Sequence, residues 1–165
     1  PYLALLPAWG REVLNIHSDG LGLLMACIGV GSLIGAMGLA SLDHLKRRGT
    51  FLVANAFIWG VVLILFSRCT SYETALPALL SVGFLSAVFM SLNMTLMQSY
   101  SSREMRGRVV SMAMMTFGIM PLSAVPFGAL AEKIGTADSL GIAGILLCLF
   151  AAGFFFAFPA FRKVA

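Results

Sequence analysis

The sequence predicts an all-α integral membrane protein with five full transmembrane helices and the end of a sixth. Five runs carry no charged side chain over the width of a bilayer, hydrophobic residues make up 59% of the 165 residues, and charged residues make up only 11%. A helix needs about 20 apolar residues to cross hydrocarbon, and soluble domains carry about 25% charge. The composition therefore excludes an ordinary soluble domain.

The uncharged runs are the predicted full helices, and residues that favour helix starts stand beside several of them. Gly49 and Thr50 open the second run, Thr74 precedes the third, and Asp138 can cap the last. In chain order the five runs are 20–42, 50–67, 75–97, 109–131 and 139–161.

A shorter apolar run, residues 1–9, opens the chain on proline. It is too short to cross a bilayer, so we interpret it as the last turns of a helix whose start precedes Pro1. The chain is therefore expected to be the C-terminal part of a longer protein, with its N-terminal half missing.

Glycine is dense and regularly spaced in the first full run. Gly31 and Gly35 form a small-xxx-small pair, and Gly38 extends the same narrow side. Such a surface lets another helix approach closely, so a packing role is predicted. The same contact could slide in a protein whose helices move against each other.

Neutral polar residues define one face of the third full run. Ser86, Met90, Asn93 and Met97 are spaced four, three and four residues apart, so they share one side of a helix. An asparagine in hydrocarbon needs a partner, so this face should point into protein or a water-filled cavity. Thr116 on the next run could join it. Both hydrogen bonding between helices and contact with a ligand remain open.

The fourth full run contains two prolines, Pro121 and Pro126. Each removes a backbone hydrogen bond and favours a kink. Such kinks can be static packing features or joints that open and close, and the sequence leaves both readings open.

Basic residues fall on alternate connections between the runs. The other side of the membrane holds Arg11, Arg68 and Lys133, outnumbered by five acidic residues. Short loops rich in Lys and Arg stay in the cytoplasm, which places the 43–49 loop, the 98–108 loop and the C-terminus inside. The eight basic residues assigned to the cytoplasm are Lys46, Arg47, Arg48, Arg103, Arg106, Arg108, Arg162 and Lys163.

Several function classes are disfavoured. The net charge of +4 is divided among short loops beside the membrane, so no nucleic-acid partner is expected. No Asp, Glu, Lys, Arg or His lies within a full run, and the three cysteines have no metal-ligand spacing. The sequence therefore predicts no enzyme, no metal site and no cofactor.

Three segments resemble a known family. They are 35–49 (GAMGLASLDHLKRRG), 93–98 (NMTLMQ) and 103–109 (REMRGRV). Together with 118–122 and 127–131, they resemble the C-terminal half of a major facilitator superfamily transporter, from the end of its seventh helix to its twelfth. The resemblance is greatest to the branch that includes the enterobactin exporter and macrolide efflux pumps.

The resemblance implies roles for specific residues. In the family, the cytoplasmic loops make charge contacts that hold the outward-facing state, and helices around a central cavity contact substrate. The corresponding charged positions here are Asp43, Arg47, Arg48, Arg106 and Arg108. The cavity faces would be those of Ser86, Asn93 and Thr116, with Met90 and Met97 beside them.

The leading hypothesis is proton-coupled efflux of small amphipathic molecules by alternating access, across a bacterial inner membrane. Its expected partners are the lipid bilayer, the missing six-helix half and a small-molecule substrate. The alternative is a membrane scaffold or accessory subunit that transports nothing. The absence of charged residues at membrane depth favours this alternative.

Overall fold

The computed structural model describes residues 2–16, 18–40, 48–99 and 104–157. Within these ranges the chain is helical and contains no strand. In chain order the elements are α1 (Tyr2–Leu14), α2 (Ser18–Ala40), α3 (Arg48–Ser67), α4 (Tyr72–Ser99), α5 (Arg106–Ile119), a 3-10 helix (Met120–Ser123), α6 (Ala124–Ile134) and α7 (Thr136–Ala157).

Four helices in the described part are long and apolar enough to cross a membrane. They correspond to the predicted runs 20–42, 50–67, 75–97 and 139–161, so the predicted all-α membrane fold is confirmed. Their spans are Gly20–Ala40, Arg48–Ser67, Tyr72–Ser99 and Thr136–Ala157.

The fourth predicted run, 109–131, differs from expectation because it is not one helix. α5 ends at Ile119, a 3-10 helix follows, and α6 begins at Ala124. Pro121 has no N–H to donate and disfavours helical geometry at the residue before it, which stops α5. Pro126 lies in the first turn of α6, where its missing N–H would have no partner within the helix. The two prolines thus interrupt this run, where the sequence predicted kinks, and the run forms two shorter helices joined by a 3-10 helix.

The first helix is also longer than the apolar run suggested. α1 continues to Leu14, five residues beyond the predicted end at residue 9. Arg11 and Glu12, which were assigned to a loop, lie in its last turns. The chain then turns at Asn15, whose φ is 50°.

The two most extensive packing pairs join helices that are not consecutive in sequence, and a third joins α3 to α4. α2 packs on α4, and α3 packs on both α7 and α4. The shared core includes fully buried Leu24, Leu79 and Leu140. Large apolar side chains such as Met37 and Phe150 are exposed on the outer surface, at 73% and 76%. Lipid suits such a surface, because apolar side chains there need no polar partner.

Three contacts bring alternate connections to one end of the bundle. The Tyr72 hydroxyl donates a 3.2 Å hydrogen bond to the Gly20 carbonyl oxygen, and Arg68 lies 3.5 Å from the Asp138 carboxylate. Glu12 contacts the start of α7. We call this end, with residues 15 and 16, the connection 68–71 and residue 135, the acidic end. At the opposite, basic end, α3 begins at Arg48 and α5 at Arg106.

Candidate functional site

The predicted polar face of α4 is present and partly open. Ser86, Asn93 and Met97 are half-buried along one side of the helix, and Met90 is 36% exposed. Toward the acidic end, the same side of α4 is closed by the buried Leu79 and Val82, and the flank that carries Leu85, Val88, Leu92 and Leu96 is buried in the core. The open side is therefore where α4 can meet a ligand or another part of the protein.

Ser86 lies between α4 and α1. Its hydroxyl donates to the Gly83 carbonyl oxygen of α4 at 2.8 Å, and the Tyr2 side chain of α1 lies close to it. The Tyr2 ring packs edge-on against Trp59, with ring centroids 6.1 Å apart. Tyr2 thus belongs to the polar face, although the sequence reasoning did not identify it. A tyrosine at the edge of an apolar run was the available signal.

The two intramembrane asparagines have different environments. Asn55 of α3 is buried, and its Nδ2 donates to the Leu85 carbonyl oxygen of α4 at 2.9 Å. The Asn93 amide is half-buried and forms no hydrogen bond with any other residue that the structure describes. Asn55 therefore joins two helices, whereas the Asn93 amide is available on the open side of α4. Sequence reasoning missed Asn55, whose signal was its place in an apolar run.

Methionines continue the open surface onto α5. Met112 and Met115 are 67% and 73% exposed, so neither is enclosed by the helices described here. Methionine is flexible and polarisable, which suits contact with varied apolar groups. The backbone of Thr116 lies in α5, but its side chain is outside what the structure describes.

The structure describes the side chains of two of the five residues predicted to make charge contacts. Arg48 is half-buried at the start of α3, and Arg108 is exposed in the first turn of α5. Both lie at the basic end. Asp43 and Arg47 lie outside the described residues, as does the side chain of Arg106, so the proposed contacts among these five residues have no described geometry.

The predicted glycine surface of α2 lies directly against α4. A Cβ at Gly31 would overlap the Leu80 carbonyl oxygen, and one at Gly35 would lie 2.5 Å from the Phe84 carbonyl oxygen. Gly83 of α4 is equally close to the Ile28 carbonyl oxygen. Gly38 has only ordinary contact, at 3.9 Å from the Phe84 ring. The close approach therefore involves two of the three predicted glycines.

A second glycine contact joins α3 to α7. A Cβ at Gly144 would lie 2.8 Å from the Gly60 carbonyl oxygen, and one at Gly60 would lie 2.5 Å from Cys148 Sγ. The Cys148 thiol donates to the Phe57 carbonyl oxygen at 3.6 Å. Sequence reasoning missed this contact, although Ala56 and Gly60 on α3 have the small-xxx-small spacing that was the available signal.

Other chemistry is sparse in the described part of the chain. No three His, Cys, Asp or Glu side chains there come together as a metal site. An open apolar depression of about 500 Å3 lies on α7, away from the polar face of α4. It is lined by Leu146, Leu149, Phe150, Gly153, Phe154 and Ala157.

Comparison with known proteins gives one family and one relative. The model of the Major Facilitator Superfamily matches residues 2–124. The multidrug efflux pump Tap of Mycolicibacterium fortuitum is 28% identical over 117 residues, which cover 70% of this chain and 28% of the pump. The match thus spans less than a third of that relative. No solved structure matches the chain.

Proposed function

Since this chain belongs to the Major Facilitator Superfamily, we propose that it is the C-terminal half of a transporter that exports small amphipathic molecules. The observation that carries the proposal is the open polar face of α4, with Ser86 and Asn93, in a chain similar to a multidrug efflux pump. A face of this kind can contact a substrate of mixed polarity, because amide and hydroxyl groups alternate with methionine.

The proposal includes a missing N-terminal six-helix half and alternating access. In transporters built from structural repeats, substrate sites lie near the membrane midplane between the repeats. The half described here has no charged side chain between the ends of its long helices. We therefore propose that proton coupling uses a titratable group in the other half or near a loop. We also propose that the transporter belongs to the branch of the superfamily that includes the enterobactin exporter and macrolide efflux pumps.

Reconstitution tests this function. The complete transporter in liposomes should move a fluorescent amphipathic dye against its gradient only when a proton gradient is imposed. Dye movement without a proton gradient would contradict the coupling. A folded protein that moves no dye and copurifies with a fixed partner would instead support a scaffold or accessory subunit, which the lack of charge at depth favours.

Asn93→Leu is expected to alter substrate preference with little change in stability. Its amide has no hydrogen bond to lose within the described part of the chain, so the free energy of unfolding should change by less than about 0.5 kcal/mol. Apparent KM values for a panel of amphipathic dyes should shift unequally.

Asn55→Leu is the matched control, because it removes the buried hydrogen bond to the Leu85 carbonyl oxygen and leaves the Asn93 amide in place. It should cost about 1 kcal/mol of stability without changing the order of dye preference. Unchanged KM values across the panel in Asn93→Leu would favour a packing role for that face.

We also propose that the acidic end faces outward and the basic end faces the cytoplasm of a bacterial cell, because Lys and Arg concentrate at the basic end. A maleimide that cannot cross membranes should then label Cys69 in intact cells. A cysteine introduced at Arg108 should react with the maleimide only after the membrane has been permeabilised. Cys27 within α2 and Cys148 within α7 serve as unreactive controls. The reverse pattern would overturn this orientation.

By resemblance, we propose that charge contacts at the basic end stabilise the outward-facing state. The residues concerned are Asp43, Arg47, Arg48, Arg106 and Arg108. The arginines at the start of α5 are unfavourable for the dipole of that helix, so a carboxylate partner or anionic lipid would offset the cost.

A further inference from the structure

The last turns of α1 meet the first residues of α7 at the acidic end. Glu12 Oε2 accepts a 2.6 Å hydrogen bond from the Thr136 hydroxyl and a 3.2 Å hydrogen bond from the Thr136 backbone N–H. These residues are 124 positions apart. A carboxylate at this position satisfies one of the unpaired N–H groups of the helix N-terminus and suits its positive dipole end.

The turn before α7 is shaped around this carboxylate. Gly135 has φ of 92°, a conformation that side-chain-bearing residues rarely adopt. A Cβ at Gly135 would also lie 3.2 Å from Glu12 Oε1. Thr136 is 5% exposed, so its hydroxyl faces α1 rather than solvent. Glycine at 135 therefore permits both the turn and the close approach of Glu12.

Apolar packing holds α1 in the bundle but does not by itself fix its register. Trp9 is fully buried and lies 4.4 Å from the Phe66 ring, and Leu5 and Leu6 are buried below it. Within a membrane, lipid tails compete for apolar contacts, so directional hydrogen bonds between helices add to the choice of one register. The nearby Arg68–Asp138 pair is exposed on both sides and fixes little.

The other end of α1 carries Tyr2, whose ring packs edge-on against Trp59 of α3 close to Ser86. Tyr2 is ten residues from Glu12, or about 15 Å along the helix. A shift or rotation of α1 at Glu12 therefore moves Tyr2 away from the polar face of α4.

We propose that Glu12 is a positioning residue, which fixes α1 on the N-terminus of α7 and so holds Tyr2 against Trp59, beside the polar face of α4. The effect on transport rests on the proposed function of the α4 face. The effect on the position of α1 does not, and the two can be measured separately.

The first measurement needs no substrate. Spin labels are attached at Leu3 of α1 and Gln98 of α4 in the complete protein, with Cys27, Cys69 and Cys148 replaced by alanine. Glu12→Ala should broaden the distribution of distances between the labels. Glu12→Gln should restore it, because the amide oxygen still accepts hydrogen bonds from Thr136.

Glu132→Ala is the matched control, since Glu132 is an exposed carboxylate of the same end with no hydrogen bond or ion pair to other described residues. It should leave the distribution unchanged. Glu12→Ala combined with Thr136→Ala should be no worse than Glu12→Ala alone, because both changes remove the same contact.

The second measurement is dye transport. Glu12→Ala should raise the apparent KM about tenfold, the effect of losing one or two hydrogen bonds, with the maximal rate nearly unchanged and with recovery in Glu12→Gln. A distance distribution in Glu12→Ala equal to that of Glu132→Ala would overturn the proposal. So would a loss of folded protein that Glu12→Gln does not rescue. If no variant moves dye, the proposed function fails while the distances still decide the role of Glu12.

Discussion

Gly31→Ala is expected to prevent the close approach of α2 and α4 and to destabilise the protein by about 3 kcal/mol. The added methyl group would overlap the Leu80 carbonyl oxygen and lie 3.0 Å from the Phe84 backbone nitrogen. Because these are backbone atoms, no side-chain rotation can make room, and the helices must separate. An SDS-unfolding titration of the purified protein measures the loss.

Gly29→Ala on the same helix is the control. A Cβ at Gly29 would meet nothing within 4 Å, so alanine costs no packing there and adds helix propensity of up to about 1 kcal/mol. The interpretation of Gly31 as a contact residue would fail if both variants unfolded at the same SDS concentration as the wild type.

Replacing both Pro121 and Pro126 with alanine is expected to join α5 and α6 into one helix and to reduce transport to near background. A 3-10 helix has 3.0 residues per turn and rises 2.0 Å per residue, against 3.6 and 1.5 Å in an α-helix. Converting the four residues Met120–Ser123 would therefore rotate α6 by about 80° and shorten the segment by about 2 Å.

That rotation would remove a contact that joins α6 to α7. The Ser139 hydroxyl donates to the Phe127 carbonyl oxygen at 2.8 Å and is fully buried. Amide hydrogen exchange across residues 117–126 should slow in the double variant, while transport of dye is measured in liposomes.

Pro126→Ala alone is the control for the double variant. It should leave the break in place, because Pro121 still cannot donate to the carbonyl four residues before it. A double variant with a continuous helix and normal transport would mean that the break has no part in function.

The helices were predictable where charge and hydropathy mark them. α2, α3, α4 and α7 match uncharged runs, because an ionised side chain is costly at membrane depth. The shared face of Ser86 and Asn93 followed from helical periodicity alone. Gly31 and Gly35 were recognisable because their spacing lies on one helix.

The features that were missed depend on partners distant in sequence. Glu12 looked like a loop residue because its partner, Thr136, is 124 positions away. Gly60 and Gly144 face each other from two helices that are far apart in sequence, so neither position alone identifies its partner. The two prolines predicted some interruption of the 109–131 run, but the length of the 3-10 helix depends on what α6 packs against.

The pairing of α2 with α4 and of α3 with α7 also sets an order of assembly during synthesis. α2 is translated before its partner α4, and α3 is translated before its partner α7. Chains made on the ribosome begin to fold from the N-terminus. The backbone surfaces at Gly31 and Gly60 must therefore stay against lipid until later helices are inserted. α7 is the last of these helices to be translated. The contact between Gly60 and α7 can therefore form only after α2, α3 and α4 have been inserted.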